Sequence, residues 1–340
     1  MKLKILDYIN IALVLILVLL VAVYQTSRYQ NKEQDKIMWN AKIYSSDYDN
    51  SSETKNLIKI VDVVFLNTFN QAKTGLDYES LRETSGLLSY KNQKHVLCNH
   101  FEEQLLPDSI HLKYFSIDDC KFYLLSSKLP YEKIKNLIQK KYAVTLTLEI
   151  LPKGKINLKM STTASENKSA TFIDFFKSTE TNGSIDMLVY EKTLDGKINN
   201  YETIKTTTDF SDLLKNKYNW VFKADIDSNT NLEEVSVNTF RGEHIDFDKN
   251  PEEFRPIPKE FYIKWGNDKQ HCGIQFYFDP FEILNAFRTM QDNEIVGEIV
   301  VNFKLLEGKK PECQMIKGNK IITLRNLYPE APIIYTKYID

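Results

Sequence analysis

Glycine and proline are scarce in this chain, 11 and 10 among 340 residues. So few breakers exclude a large low-complexity or disordered portion. An excess of one charge is also missing. The 44 basic and 46 acidic residues leave a net charge of −2, which excludes the strongly basic surface that a nucleic-acid partner needs. There are four cysteines and no C-x-x-C pair. No G-x-S-x-G, no H-E-x-x-H and no phosphate-cradling glycine loop occurs, and no motif attaches the chain to a known family. His271 and Cys272 are a base and a nucleophile by type, but as neighbours on a strand they point to opposite faces. These absences weigh against an enzyme.

What the chain does have is one long apolar run. Residues 5–24 read ILDYINIALVLILVLLVAVY, and no polar residue interrupts Ile11 to Val23. At ~1.5 Å per residue this makes roughly 30 Å of helix, the thickness of a bilayer core. The exit, Val21-Ala22-Val23-Tyr24-Gln25-Thr26, lacks the small-residue pattern of a signal-peptide cleavage site. The expectation is an uncleaved anchor over 5–24 behind a short head, 1–4, with the lipid bilayer as its first partner. Tyr8, Tyr24 and Tyr29 are candidates for the two membrane interfaces. Lys2 and Lys4 precede the run, while Arg28, Lys32, Lys36 and Lys42 follow it, so flanking charge does not fix the orientation. A short head before a long tail is the layout of a signal anchor. It places the C-terminal part outside the cytoplasm, in a single-pass cell-membrane protein.

Beyond the anchor the expected class is α+β. A polar stalk or linker occupies 25–51, and a helical region follows over 52–108. Leu57, Ile60, Val61, Val64 and Phe65 fall on one helical face, and Leu97, Phe101 and Leu105 recur every four residues. From Ile110 the pattern turns to period two and predicts antiparallel hairpins. Turns at Ser116–Asp119, Pro152–Gly154 and Leu194–Lys197 separate strand pairs, and short helices are predicted over Pro130–Lys141 and after Asp209. A further helix opens at Asp279-Pro280-Phe281-Glu282, with Asp as cap, Pro at the first position and Glu at the third. The element order predicts three hairpin–helix–hairpin units, over 109–182, 183–256 and 257–340.

Two groups of residues carry possible chemistry. Asp225, Asp227, Asn229, Asn231 and Glu233 set oxygen atoms at alternate positions, the spacing that a hard cation such as Ca²⁺ takes. Thr230 stands where a calcium loop needs glycine, and a solvated turn explains the same residues. Cys98 with Cys120, and Cys272 with Cys313, are expected as disulfides on the translocated side, each worth ~3 kcal/mol. The functional expectation is a membrane-anchored, non-enzymatic envelope protein that scaffolds or assembles a larger complex of other envelope proteins. The alternative is a tethered extracytoplasmic hydrolase or ligand-binding domain.

Overall fold

The computed structural model describes residues 5–33, 36–46, 56–89, 94–99, 102–138, 143–162, 170–193, 196–199, 201–245, 254–268, 270–291, 297–328 and 333–336. It is mixed α+β, mostly antiparallel sheet with six helices among the described residues.

Helix α1 (Ile5–Glu33) comes first. Eleven branched or large aliphatic residues between Ile11 and Val23 stand 49–64 % exposed, and none of the described α1 side chains enters either hydrophobic core. The Thr26 hydroxyl donates to the Ala22 carbonyl (2.8 Å), so that polar group is satisfied within the helix. Among the described residues no helix is long and apolar enough to cross a membrane. Side chains of α1 are described only over residues 10–26, about 25 Å of helix, short of a ~30 Å hydrocarbon core. Tyr8 and Tyr29 lie outside the described side chains, and Tyr24 is exposed.

After α1 the chain forms β1 (Trp39–Ser45), β2 (Ile58–Asn67), β3 (Ala72–Gly75), α2 (Tyr78–Thr84), β4 (Leu87–Leu88), β5 (His95–Cys98), β6 (Ser109–Ser116) and β7 (Lys121–Lys128). Then come α3 (Tyr131–Leu137), β8 (Val144–Leu151), β9 (Lys155–Thr162), β10 (Thr171–Lys177) and β11 (Thr179–Thr181). One sheet has the order β10-β9-β8-β1-β5, the other β11-β7-β6-β2-β3. Their inner faces share one core, with Ile43, Leu146 and Leu158 from the first sheet and Ile58, Leu112 and Tyr114 from the second.

A connecting stretch carries α4 (Asp186–Val189), β12 (Tyr190–Thr193), β13 (Gly196–Asn199) and α5 (Thr207–Lys215). The strands then resume as β14 (Lys217–Ile226), β15 (Asn231–Thr239), β16 (His244–Ile245), β17 (Phe254–Pro256), β18 (Pro258–Gly266) and β19 (Gln270–Phe278). Helix α6 (Pro280–Met290) leads to β20 (Ile299–Leu305), β21 (Glu312–Lys317), β22 (Lys320–Leu324), β23 (Leu327–Tyr328) and β24 (Ile333–Thr336). Their sheets run β22-β21-β20-β14-β17 and β16-β15-β18-β19-β23.

These two orders are the same order. In each half the first strand pairs in parallel with the strand after the helix, β1 with β8 and β14 with β20, and both ladders open on tryptophan: Trp39 opposite Val144, Trp220 opposite Ile299. Both second strands carry a bulge, between Ile60 and Asp62 in one and Leu232 and Glu234 in the other. The helices arise at matching places from Pro130-Tyr131-Glu132 and Pro280-Phe281-Glu282. The chain therefore writes one sandwich topology twice.

Several expectations are corrected here. Among the described residues of the expected helical region over 52–108 only α2 is helix, and the other elements, β2 to β5, are strands. The β2 bulge shifts the buried parity from Ile58 and Ile60 to Val63 and Phe65, and that slip imitates a helical face. His95–Cys98 is the edge strand β5, so the four-residue recurrence of Leu97, Phe101 and Leu105 joins unrelated elements. The stalk keeps its helix to Glu33 but then enters β1, whose partner β8 lies far along the sequence. Of the three expected units, the first and third fall at matching places in the two sandwiches. The second divides between the β12–β13 ribbon, α5 and the opening strands of the second sandwich.

The second core is the larger and reaches into the first half. Phe115, Ile117 and Phe122, at the tip of the β6–β7 hairpin, pack with Tyr201 and Phe210 against Trp220, Phe261, Phe287 and Phe303. Phe115 meets Phe210 edge-on at 6.2 Å, and Phe210 meets Tyr201 at 5.2 Å. Helix α5 is capped by Thr206, whose hydroxyl accepts from the Asp209 amide (3.0 Å), so Asp209 sits one turn inside and not at the cap. The α6 start is as the sequence predicts: Asp279 accepts from the Glu282 amide at 2.8 Å.

Candidate functional site

A groove of about 750 Å³ lies on the outer face of β2 and β6, walled by α2 and α4. It exists because the outward residues of β2 are apolar, Val61 and Val64, while Leu76, Leu81 and Met187 line the sides. Tyr78, Met187 and Tyr190 stand 40–45 % exposed at its rim. Size and apolar lining are those of a ligand or peptide cleft.

Four charges are set in this lining. Lys59, almost wholly buried, donates to the Ser85 carbonyl. Lys113 donates to the Asn182 carbonyl (3.1 Å) and lies 5.6 Å from the centre of the Phe122 ring. Both ammoniums are thus engaged with the protein. Asp62 and Asp186 have no ion-pair or hydrogen-bond partner among the described residues. The groove combines apolar walls with two available carboxylates, and suits an apolar segment that carries positive charge. None of these residues carried a sequence motif; only the apolar outward face of β2 hinted at the groove, and its bulge hid that face.

Most of the five oxygen-bearing residues expected to bind Ca²⁺ have partners within the protein. They lie along β14, the corner between the two sheets, and β15. Asp225 accepts from the Asn302 amide (2.8 Å), and Asp227 accepts from the Glu307 backbone N–H (2.8 Å) while its own carbonyl closes a turn with Thr230. The Asn229 carbonyl accepts from Asn267 (3.3 Å), and Asn231 begins β15. Glu233 meets Lys264 at 3.0 Å and His271 Nδ1 at 2.5 Å. The Lys264 ammonium first, and His271 with it, hold the Glu233 carboxyl below its ordinary range. Among the described residues no three His, Cys, Asp or Glu side chains gather as a metal site. The related run over residues 246–250 lies outside the described residues.

The disulfide expectation is overturned, because all four cysteines are free. Cys98 faces the core of the first sandwich from β5, opposite Ala41, whereas Cys120 ends the β6–β7 turn with a left-handed φ of 54°. Cys272 is opposite Trp265 and lies near Glu307 and Asp227. Cys313 is fully buried on the other sheet of that sandwich, near Glu282. Burial, with Asp77 adding to it, pushes the Cys98 thiol up to about 12, so it is no nucleophile at neutral pH.

No protein-family model, curated protein or solved structure matches this chain.

Proposed function

We propose that this is a single-pass membrane-anchored, non-enzymatic protein of the cell envelope that scaffolds or assembles a larger complex. The observation that carries the reading is the row of exposed aliphatic side chains on α1, from Ile11 at 49 % to Val23 at 58 %, which touches neither core. In water such a row is a heavy liability; in lipid it is satisfied. Together with the apolar residues before Asn10, the run reaches the length of a bilayer core. The two sandwiches then form the tail, and the β2–β6 groove offers its partner a docking face. The free thiols take away the disulfide argument for an extracytoplasmic tail, so that side rests on the signal-anchor layout alone.

Membrane fractionation with protease protection of a C-terminal tag tests both points. The expected result is a protein that resists alkaline extraction and loses its tag to external protease. Recovery in the soluble fraction would overturn the anchor, and a protected tag would reverse the orientation. The second reading, a tethered ligand-binding protein, is favoured by the unpartnered Asp62 and Asp186 in the groove. Asp62→Asn with Asp186→Asn would then weaken binding of a cationic amphipathic peptide at least tenfold, whereas a pure scaffold would show no saturable peptide binding.

A further inference from the structure

A second crevice, of about 720 Å³, lies at one end of the first sandwich, away from the groove. Three pieces of chain meet there: the β6–β7 hairpin end, the β8–β9 turn, and the step from β10 to β11 where the chain passes between sheets. Its lining holds three ammoniums, Lys121, Lys153 and Lys177, against two carboxylates, Asp119 and Glu180. The charges are not evenly paired. Lys121 is bound to Glu180 at 2.8 Å. Asp119 accepts from the Tyr123 and Ser116 hydroxyls, each at 3.1 Å. Lys153 and Lys177 have no partner among the described residues.

The backbone beneath these two lysines is fixed. Ser178 donates to the Gly154 carbonyl twice, from its backbone (2.8 Å) and from its hydroxyl (2.9 Å), which ties the turn bearing Lys153 to the step bearing Lys177. The Tyr114 and Ser178 hydroxyls share a further bond of 3.2 Å, and both residues are buried. A Cβ on Gly154 would lie 2.8 Å from the Ser178 hydroxyl and 3.0 Å from the Tyr123 ring, so the contact admits only glycine. Lys153 itself adopts φ 60° and ψ 37°, a left-handed conformation that suits asparagine or glycine better than lysine. The turn gains nothing from a lysine there, but the crevice gains an exposed ammonium on a fixed backbone.

We propose that this crevice is an anion site in which Lys153 and Lys177 bind the phosphate group of a small ligand. Two ammoniums on fixed backbone give a compact oxyanion charge-assisted bonds from two sides, and Tyr123 and Ser178 form an uncharged floor. Two sources carry such a phosphate, a free phosphate ester and an anionic lipid headgroup, and the chemistry of the site is the same for both.

The test is calorimetry on the full chain in nonionic detergent at low salt, with glycerol phosphate and mixed micelles containing phosphatidylglycerol titrated separately. Saturable binding is expected, with Lys153→Gln and Lys177→Gln each weakening it roughly fivefold, a single screened charge contact apiece. Glu180→Gln frees Lys121 and is expected to tighten binding by a similar factor, an effect that damage to the fold would not produce. Tighter binding of the phosphatidylglycerol micelles assigns the ligand to a lipid headgroup, and equal or tighter binding of glycerol phosphate assigns it to a free ester. No saturable heat, affinity unchanged in the double lysine variant, or weaker binding in Glu180→Gln would each overturn the proposal.

Discussion

At the scale of single residues, the polar groups with the greatest effect on stability are carboxylates with fixed partners. Arg288 on α6 donates to Asp209 (2.7 Å) and Asp212 (2.6 Å) on α5, joining the two helices of the second half. Burial pushes the Asp209 carboxyl up, but the bonds from Thr206 and Arg288 outweigh it and hold that carboxyl low. Glu149 behaves alike: burial opposes, and Lys159 and Asn157, both at 2.8 Å, win. A depressed folded-state pKa adds stability above the unfolded values of about 4, and that stability is lost as pH falls through the folded values. Urea midpoints should therefore be flat from neutral pH down to about 5 and fall steeply below 4, less steeply in Glu149→Gln. Arg288→Ala should cost roughly 1–2 kcal/mol, reduced from a buried pair's value because the guanidinium is about a third exposed. The cysteines give a second residue-scale prediction. Without reductant all four thiols should titrate in denaturant, whereas in the native protein Cys120 and Cys272 should react and Cys98 and Cys313 should stay silent. Fewer than four thiols in denaturant would restore a disulfide.

At the scale of elements, the two tryptophans that open the parallel ladders are the pieces to remove. Trp220 is fully buried, donates from its indole to the Pro256 carbonyl (3.1 Å), and packs near Phe261 and Phe287. Trp220→Phe keeps most of the volume and should cost about 1–3 kcal/mol, while Trp220→Ala should cost about 3–5 kcal/mol, both read from thermal or urea unfolding. Much of this level was legible in the sequence. The hairpins β6–β7, β8–β9 and β12–β13 followed from period-two alternation and their turns, and Asp279-Pro280-Phe281-Glu282 announced α6 down to its cap. What failed did so for physical reasons. The β2 bulge disguised a strand as a helical face, and the β1–β8 and β14–β20 pairings are contacts between segments too distant for any local pattern. The doubling did leave a trace, in Pro130-Tyr131-Glu132 against Pro280-Phe281-Glu282 and in Trp39 against Trp220. The groove left only the apolar outward face of β2 and the second crevice left nothing, because each is assembled from turns and strand faces that meet only in three dimensions.

At the scale of the whole molecule, the tip of the β6–β7 hairpin joins the halves. Phe115, Ile117 and Phe122 belong by sequence to the first sandwich and by packing to the second core. Lys215 on α5 adds a bond to the Asp118 carbonyl (3.4 Å). The two sandwiches should therefore melt as one cooperative unit, and Phe115→Ala, costing about 3–5 kcal/mol, should split the calorimetric trace into two transitions. A wild-type trace already in two parts would show that this junction does not couple them.

The doubled topology also governs how the chain can reach its native state. In each half the opening strand must wait for a parallel partner far along the chain, from Trp39 to Val144 in the first and from Trp220 to Ile299 in the second, a high-contact-order closure that is intrinsically slow. While β1 waits, the chain holds two near-interchangeable acceptors, β8 and β20, and two near-interchangeable donors, β1 and β14. Each half is thus the other's most plausible misfolding partner, through exchange of opening strands. The connecting stretch of α4, β12–β13 and α5 lies in sequence between the two donors and packs in part against both halves, through α4 on β2 and α5 on α6.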